Sequence, residues 1–552
     1  MKLVECVPNF SEGRNMQIID QITAEIKKIK GVKLLDVDPG FDTNRTVVTF
    51  VGDVEQVKEA AFLAVKKAHE LIDMSKHKGA HPRFGACDVC PLIPVSGITM
   101  EETAEHARQL GKRLGEELDF PVYFYENAAL IEGRRNLAKV REGEYEALKE
   151  RLQKPENKPD AGPAEFRPTK GATAVGAREF LIAYNVNLNT TGTKDAKDIA
   201  FAIREQGRDK KDKNGNKVTI PGIFKNCKAI GWYVDDYKIA QISINLTNYK
   251  VTNMHHVFDE ICKQATEKGL RVTGSEIVGV VPKQALIEAG IHYLEKQGMC
   301  AGIDENEIIK IAERSLGLSD VAKFDANEKI IERMIKEEKG LVDLNLTEFC
   351  DMLSTDSPAP GGGSVAALAG ALAASLGSMV MNLSFGKKEY KHNNETFNKI
   401  AKDLQIRKYE LLKLIDDDTN AFNIMMSAMG ELRKAKKGEV QEEIERAEKQ
   451  NRYALELATS IPLTVMERSL ELIPSINEVA KIGNTNAASD AGVAALMINS
   501  AVKAAGLNVK INLGNFAKED DFRIRTEGRM NEILTDLDLK TNSIISIVNE
   551  KM

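Results

Sequence analysis

Several things are scarce in this 552-residue chain, and each scarcity excludes something. Its seven cysteines, at 6, 87, 90, 227, 262, 300 and 350, form an odd and irregularly spaced set. An extracellular disulfide framework shows an even, regular one, so a reducing cytoplasm is the expected compartment. Neither sign of charge is in excess: 76 Lys and Arg against 82 Asp and Glu leave a formal charge of −6. A nucleic-acid-binding polyelectrolyte is not expected from that balance. No secretory leader is expected either, because Glu5 interrupts the first apolar stretch before a hydrophobic core can form. Tryptophan occurs once, at Trp232, and proline is absent between Pro360 and Pro462. A proline-free stretch of that length permits long helices.

Long hydrophobic runs are also rare. Residues 357–386 lack charge, but Ser364–Leu383 is mostly Ala, Gly and Ser, far weaker in transfer energy than a Leu/Ile/Phe span. We read it as a buried helix whose small side chains let neighbouring helices approach closely, and expect no membrane association.

What is present divides near residue 340. Twelve of the 16 prolines precede it. In the first region, strand-length β-branched runs at Lys2–Phe10, Val32–Val37, Thr46–Val51, Val89–Val95 and Phe120–Tyr125 alternate with helical faces. One such face is Ile18, Ile19, Ile22, Ile26, Ile29; another is Val54, Val57, Ala61, Val65, Ala68, Ile72. The alternation resumes at Phe180–Leu188, Ala229–Val234, Ile239–Leu246 and Ile277–Val281. The predicted fold class is α/β for the N-terminal region, as two consecutive subdomains (1–178 and 179–325). A helical linker (326–340) joins it to an all-α helical-bundle domain (341–552). The charged run Arg208–Lys217, with Asn214-Gly215 inside it, reads as an exposed hairpin.

Six segments could carry chemistry. Two of the eight histidines, His77 and His81, fall in Lys76–Gly85, a loop before a strand. A histidine there can exchange a proton near neutral pH, or simply hydrogen-bond its own loop. Gly79 and Pro82 disfavour the helix that His77/His81 metal ligation needs, so no metal is expected. Cys87-Asp88-Val89-Cys90 lacks a second such pair, and in a regular strand its sulfurs face opposite ways, so packing cysteines are expected. Asp38–Arg45 reads either as a turn with its own ion pair or as a guanidinium fork for a carboxylate. Ser357–Ser364 brings three consecutive glycines to a helix start, suited to close ligand approach or to a hinge. Asp416-Asp417-Asp418 puts three acids about 100° apart around one helix, so at least one can turn inward. A second polar cluster, Gly483–Ala495, opens another small-residue helix, with Ser489 and Asp490 as candidate caps.

In this order, Val4–Gly13 and His77-Lys78-Gly79-Ala80-His81-Pro82-Arg83 resemble the glutamate formimidoyltransferase pattern, and Ser357–Ala367 and Gly483–Ala495 resemble the cyclodeaminase pattern. The chain as a whole thus resembles the bifunctional formimidoyltransferase-cyclodeaminases of histidine degradation. The resemblance implies transfer of the formimidoyl group of N-formimidoyl-L-glutamate to N5 of tetrahydrofolate, then closure to 5,10-methenyltetrahydrofolate with release of ammonia. It maps the transferase's catalytic histidine onto His81 and the cyclodeaminase carboxylate onto Asp418. The folate-binding loop maps onto Gly162, Pro163, Ala164, Glu165, Phe166, Arg167, Pro168, Thr169, Lys170 and Gly171. Tetrahydrofolate, in polyglutamylated form, is the implied co-substrate, with Lys387 and Lys388 as candidate contacts for its tail. A homo-oligomer is the implied assembly. Chains with only one competent domain, or a folate-binding scaffold without turnover, are the competing readings.

Overall fold

The computed structural model describes residues 2–552 except 42, 80–82, 212–216, 235–236, 322, 336–339 and 439. The chain divides into two compact units. One is residues 1–289 with 313–336, the other 290–312 with 337–552.

The first unit opens with β1 (Leu3–Cys6), β2 (Asn9–Phe10), α1 (Met16–Lys27), β3 (Val32–Gly40), β4 (Arg45–Asp53) and α2 (Val54–Leu71). It continues through β5 (Cys87–Ser96), α3 (Met100–Glu117), β6 (Val122–Glu126), α4 (Leu137–Val140), α5 (Glu144–Arg151) and β7 (Thr173–Ala177). These strands form one sheet in the order β1-β4-β2-β5-β7-β6, with β3 against β4. Only β5–β7 and β6–β7 pair in parallel. Pro8 cannot donate to the ladder, and it separates β1 from β2 where the sequence suggested one strand. On one face, Val4, Ile22, Phe50, Val57, Leu92, Leu110, Val122 and Phe124 pack under α1–α3. Because side chains alternate along a strand, Tyr123 and Tyr125 face the other way. There they join Phe84, Val89, Val140 and Leu148 beneath α4 and α5.

A four-stranded antiparallel sheet follows, ordered β11-β12-β8-β13. Its members in chain order are β8 (Ile182–Leu188), β11 (Cys227–Val234), β12 (Ile239–Leu246) and β13 (Val272–Val278). It carries α6 (Thr193–Ile203) and α7 (Met254–Glu267). Strands β9 (Arg208–Lys211) and β10 (Lys217–Ile220) pair with each other as a separate hairpin. Asn214-Gly215 lies outside the described residues. Helices α8 (Lys283–Lys296) and α9 (Glu305–Leu316) come next. The segment read as a linker begins with α10 (Ala326–Lys329) and α11 (Ile331–Met334), which belong to the first unit. Its charge pattern hides an apolar anchor: Ile330 and Ile331 are fully buried, and Ile330 bridges to Val281.

The second unit is a bundle of α12 (Leu346–Leu353), α13 (Gly362–Ser384), α14 (Asn394–Gly438), α15 (Gln441–Leu470), α16 (Ile473–Ile482), α17 (Ala488–Leu513), α18 (Asp521–Leu534) and α19 (Leu537–Lys551). Asp536, at φ +60, separates α18 from α19. Helix α13 packs between α14 and α17, and its glycines allow this. Gly370 lies against Ser469 and Leu411, and Gly377 against Ile476 and Leu404, where a Cβ would collide. Both α13 and the helical span Thr485–Leu513 are long and apolar enough to cross a membrane, and both are core elements of this bundle.

Candidate active sites

Around the first histidine loop, three turns are clamped by one side chain. Asn44, held at φ +48, accepts a hydrogen bond from the Gly13 amide (3.0 Å) and donates to the Lys78 carbonyl (2.9 Å). Its own carbonyl meets His77 Nε2 at 2.8 Å. Gly79 fits because a Cβ there would strike the Thr43 carbonyl. Arg83 closes the other side. Its guanidinium donates to the carbonyls of Met74 and His77, pairs with Glu146 at 2.6 Å, and lies 4.7 Å from the Tyr145 ring centre. His77 is therefore a buried structural residue, and burial lowers its pKa. His81 lies outside the described residues, between the two clamped segments.

The glycine-bounded loop 162–171 reaches the same place. Thr169 and Lys170 carbonyls accept from the amides of Met74 (3.0 Å) and Ala86 (2.8 Å), and Gly171 bridges to Gly85. Gly162 and Gly171, at φ +74 and +73, sit where a Cβ would meet the carbonyls of Phe120 and Phe84. Both cations of the loop have partners within the unit: Arg167 pairs with Asp119 (2.7 Å) and Glu165 (3.0 Å), and Lys170 donates to the Leu118 carbonyl. Phe166 packs against Tyr145. Of this segment, its C-terminal half adjoins the histidine loop.

Two acids went unnoticed as site candidates. Asp88 on β5 is buried and ion-paired with Arg141, and feels the field of Arg45, which in turn feels Asp38. Burial outweighs these cations and pushes its carboxyl up to about 6. Glu5 on β1 is buried beside Arg178, and burial pushes it up to about 7. It lines a cavity of about 300 Å³ with Asp36, Thr49, Arg178, Phe180 and Val278. The available signal was an acid inside an apolar strand run, Leu3-Val4-Glu5-Cys6 and Cys87-Asp88-Val89. The expected geometry of Cys87 and Cys90 also needs correction. A bulge opposite Asn9/Phe10 inserts an extra residue into β5 and turns both thiols to one side. There Cys90 interacts with Cys87 and lies 3.7 Å from Cys6, all three being fully buried.

In the helical unit the three neighbouring acids separate cleanly. Asp416 accepts from the Leu341 amide (2.6 Å), and Asp417 pairs with Lys413 (3.2 Å). Asp418 points into a cavity of about 430 Å³ at the start of α13. Gly361, Gly362 and Gly363 line it, Phe422, Met425, Met429 and Ala458 supply apolar surface, and Asn508 and Asn512 of α17, with Asn515 just past its end, add amides. Ser364 Oγ donates to Asp418 Oδ2 at 3.0 Å. Burial raises the Asp418 carboxyl above its usual range, against the lowering effect of the Ser364 hydroxyl and amide. Such a carboxyl can both give and take a proton during a reaction.

The second polar cluster is elsewhere. Gly483–Thr485 adjoins the C-terminal end of α13, where the Asn484 amide donates to Ser384 Oγ (2.8 Å), and Asn484 rather than Ser489 or Asp490 makes the cap. A 23-residue helix spans about 34 Å, so this cluster and Lys387–Lys388 lie one helix length from the Asp418 cavity.

Three family models match the chain: "Formiminotransferase domain, N-terminal subdomain" over residues 3–178, "Formiminotransferase domain" over 183–336, and "Formiminotransferase-cyclodeaminase" over 345–532. A formimidoyltransferase-cyclodeaminase of Sus scrofa is 42% identical over 536 residues, covering 97% of this chain and 96% of its own length. A glutamate formimidoyltransferase of Streptococcus pyogenes serotype M1 is 44% identical over 294 residues, 53% of this chain and 94% of its own. A methenyltetrahydrofolate cyclohydrolase of Methylorubrum extorquens is 37% identical over 185 residues, 34% of this chain and 85% of its own.

Proposed function

Since the chain belongs to the formimidoyltransferase-cyclodeaminase family, we propose that it performs two successive reactions on one folate. The first unit moves the formimidoyl group of N-formimidoyl-L-glutamate to N5 of tetrahydrofolate and releases glutamate. The second closes the 5-formimidoyl product to 5,10-methenyltetrahydrofolate and releases ammonia.

The observation that carries this reading is the inward Asp418 in a partly apolar cavity at the glycine-walled start of α13. Ring closure forms a bond from N10 to the formimidoyl carbon and breaks the bond from that carbon to its amino nitrogen. N10 must lose one proton and the leaving nitrogen must gain one. A single carboxyl with a raised pKa can carry out both transfers, as base first and acid second. The Ser364 hydroxyl and amide hold the carboxylate in place within the cavity.

For the transferase, amine attack on the amidine carbon gives a tetrahedral intermediate that must expel glutamate, so a near-neutral acid/base is needed. His81 takes that role by resemblance. Asn44, His77 and Arg83 hold the described residues that flank it in sequence. The Arg45, Asp88 and Arg141 cluster offers guanidiniums for the donor's carboxylates. Arg45→Ala should raise the Michaelis constant for N-formimidoyl-L-glutamate; unchanged constants for both substrates would reject that role.

Polyglutamylated tetrahydrofolate is the proposed natural co-substrate, cytoplasm the proposed compartment, and a homo-oligomer the proposed assembly. Exposed Val365, Leu372, Met379 and Leu383 on α13, with Val493, Leu496, Leu507 and Ile511 on α17, support self-association. Purified protein given N-formimidoyl-L-glutamate and tetrahydrofolate should release glutamate and ammonia in equal amounts. Glutamate without ammonia would leave the transferase alone.

A further inference from the structure

The wall of the Asp418 cavity contributed by α17 is unusual in its polarity. Asn508 and Asn512 lie one turn apart on one face of α17, and Asn515 follows just past its end. Each amide NH2 is already engaged. Asn508 donates to the Ala504 carbonyl at 3.0 Å, Asn512 to the Ala458 carbonyl of α15 at 2.8 Å, and Asn515 to the Asn512 carbonyl at 3.0 Å. A carbonyl can be met only by the NH2 end, so these bonds also orient each side-chain oxygen. With their NH2 groups held by main-chain carbonyls, Asn508 and Asn512 have their Oδ1 atoms left as the acceptors of this wall. Among the described residues no Lys or Arg lines the cavity, and Asp418 is their one titratable lining group.

Such a wall selects a ligand edge rich in donors and without formal charge. Reduced pterins have one: N3–H and the 2-amino group lie side by side. The apolar surface of Phe422, Met425 and Met429 suits the flat ring beside that edge. The reacting nitrogens then lie toward Asp418 and the first turn of α13, which line the same cavity.

We propose that Asn508 and Asn512 are the pterin-recognition residues of the helical unit, their Oδ1 atoms accepting hydrogen bonds from N3–H and the 2-amino group of the tetrahydropterin ring. This rests on the cyclodeaminase reading above. It makes the pair specificity determinants, which fix which ring edge enters and so place N5 and N10 at the carboxyl.

The test measures inhibition of ammonia release from 5-formimidoyltetrahydrofolate by the full chain, so that only the cyclodeaminase site is read. The probes are 5-formyltetrahydrofolate, which has the same ring edge but no amidine, and its 2-desamino analogue. The unaltered chain should bind the 2-desamino analogue about tenfold to a hundredfold more weakly, the scale of an unpaired buried polar group. Of Asn508→Leu and Asn512→Leu, the variant that loses the acceptor of the 2-amino group should weaken 5-formyltetrahydrofolate by a similar factor while leaving the two inhibitors nearly equal, and the variant that loses the acceptor of N3–H should weaken both inhibitors alike. Because the first result is a ratio measured on one protein, partial destabilisation of a variant does not obscure it. Discrimination unchanged in both variants would overturn the assignment. Absence of ammonia release from the unaltered chain would instead reject the cyclodeaminase reading itself.

Discussion

Gly363→Ala separates the stability of the helical unit from its chemistry. Gly363 is the second residue of α13, buried, and an added Cβ would lie 2.5 Å from the Asp418 carboxyl carbon. Carbon atoms in ordinary contact are about 3.5 Å apart, so the carboxyl would have to recede by about 1 Å. Overpacking of this kind costs about 1–3 kcal/mol, offset by about 1 kcal/mol of helix propensity gained on replacing glycine. The net loss is about 0–2 kcal/mol, too little to unfold the bundle. The same 1 Å is worth about a hundredfold in rate when the displaced group is the proton carrier. Ammonia release from 5-formimidoyltetrahydrofolate should therefore fall about a hundredfold in kcat, with the helical circular dichroism signal retained and formimidoyl transfer as internal control. Gly528→Ala is the comparison, since a Cβ there meets nothing within 4 Å. If Gly363→Ala keeps kcat within twofold of the original, the carboxyl is not where the chemistry happens.

Three further outcomes are expected. Ser364→Ala removes a hydrogen bond that lowers the Asp418 pKa, so the rate limb reporting its ionisation should move to higher pH; an unmoved limb would separate Asp418 from the rate. Glu5 holds its proton more tightly folded, at about 7, than at its ordinary 4.5, so its contribution to stability is full below 4.5 and lost as pH rises through 7. Glu5→Gln should accordingly gain stability over the original protein between pH 5 and 8, by up to about 3 kcal/mol in denaturant titrations, and a pH-independent difference would contradict it. Asp88→Ala leaves Arg141 without its buried partner and should cost about 3 kcal/mol, visible as a lower denaturation midpoint; an unchanged midpoint would mean the pair is not buried in solution.

Periodicity carried the fold well where packing follows local pattern. The β-branched runs became strands within a few residues, Ile239–Leu246 without adjustment, and the proline-free region became the long helices α13, α14 and α15. The misses have physical reasons. Strand β7, Thr173-Ala-Val-Gly-Ala177, is too small and glycine-rich to signal a strand, yet its parallel pairing with β5 and β6 completes the sheet. The bulge that turns Cys87 and Cys90 together depends on the partner strand β2, far away in sequence. At the cavity, three adjacent acids announced that one would face inward, and Asp418 does. The asparagine row was silent because asparagine on a helix reads as solvent-facing until α13 and α15 are placed beside it. Glu5 and Asp88 were legible only as acids in apolar company, a signal that the motif resemblance at Val4–Gly13 overshadowed.

The central claim is that two separate proton-handling groups serve one folate in succession. A pair of single variants, His81→Ala and Asp418→Asn, assayed for glutamate release and for ammonia release from added 5-formimidoyltetrahydrofolate, tests it most directly. The expected result is loss of transfer alone in the first and of ammonia release alone in the second. Loss of both half-reactions in either properly folded variant, or of neither, would contradict the account.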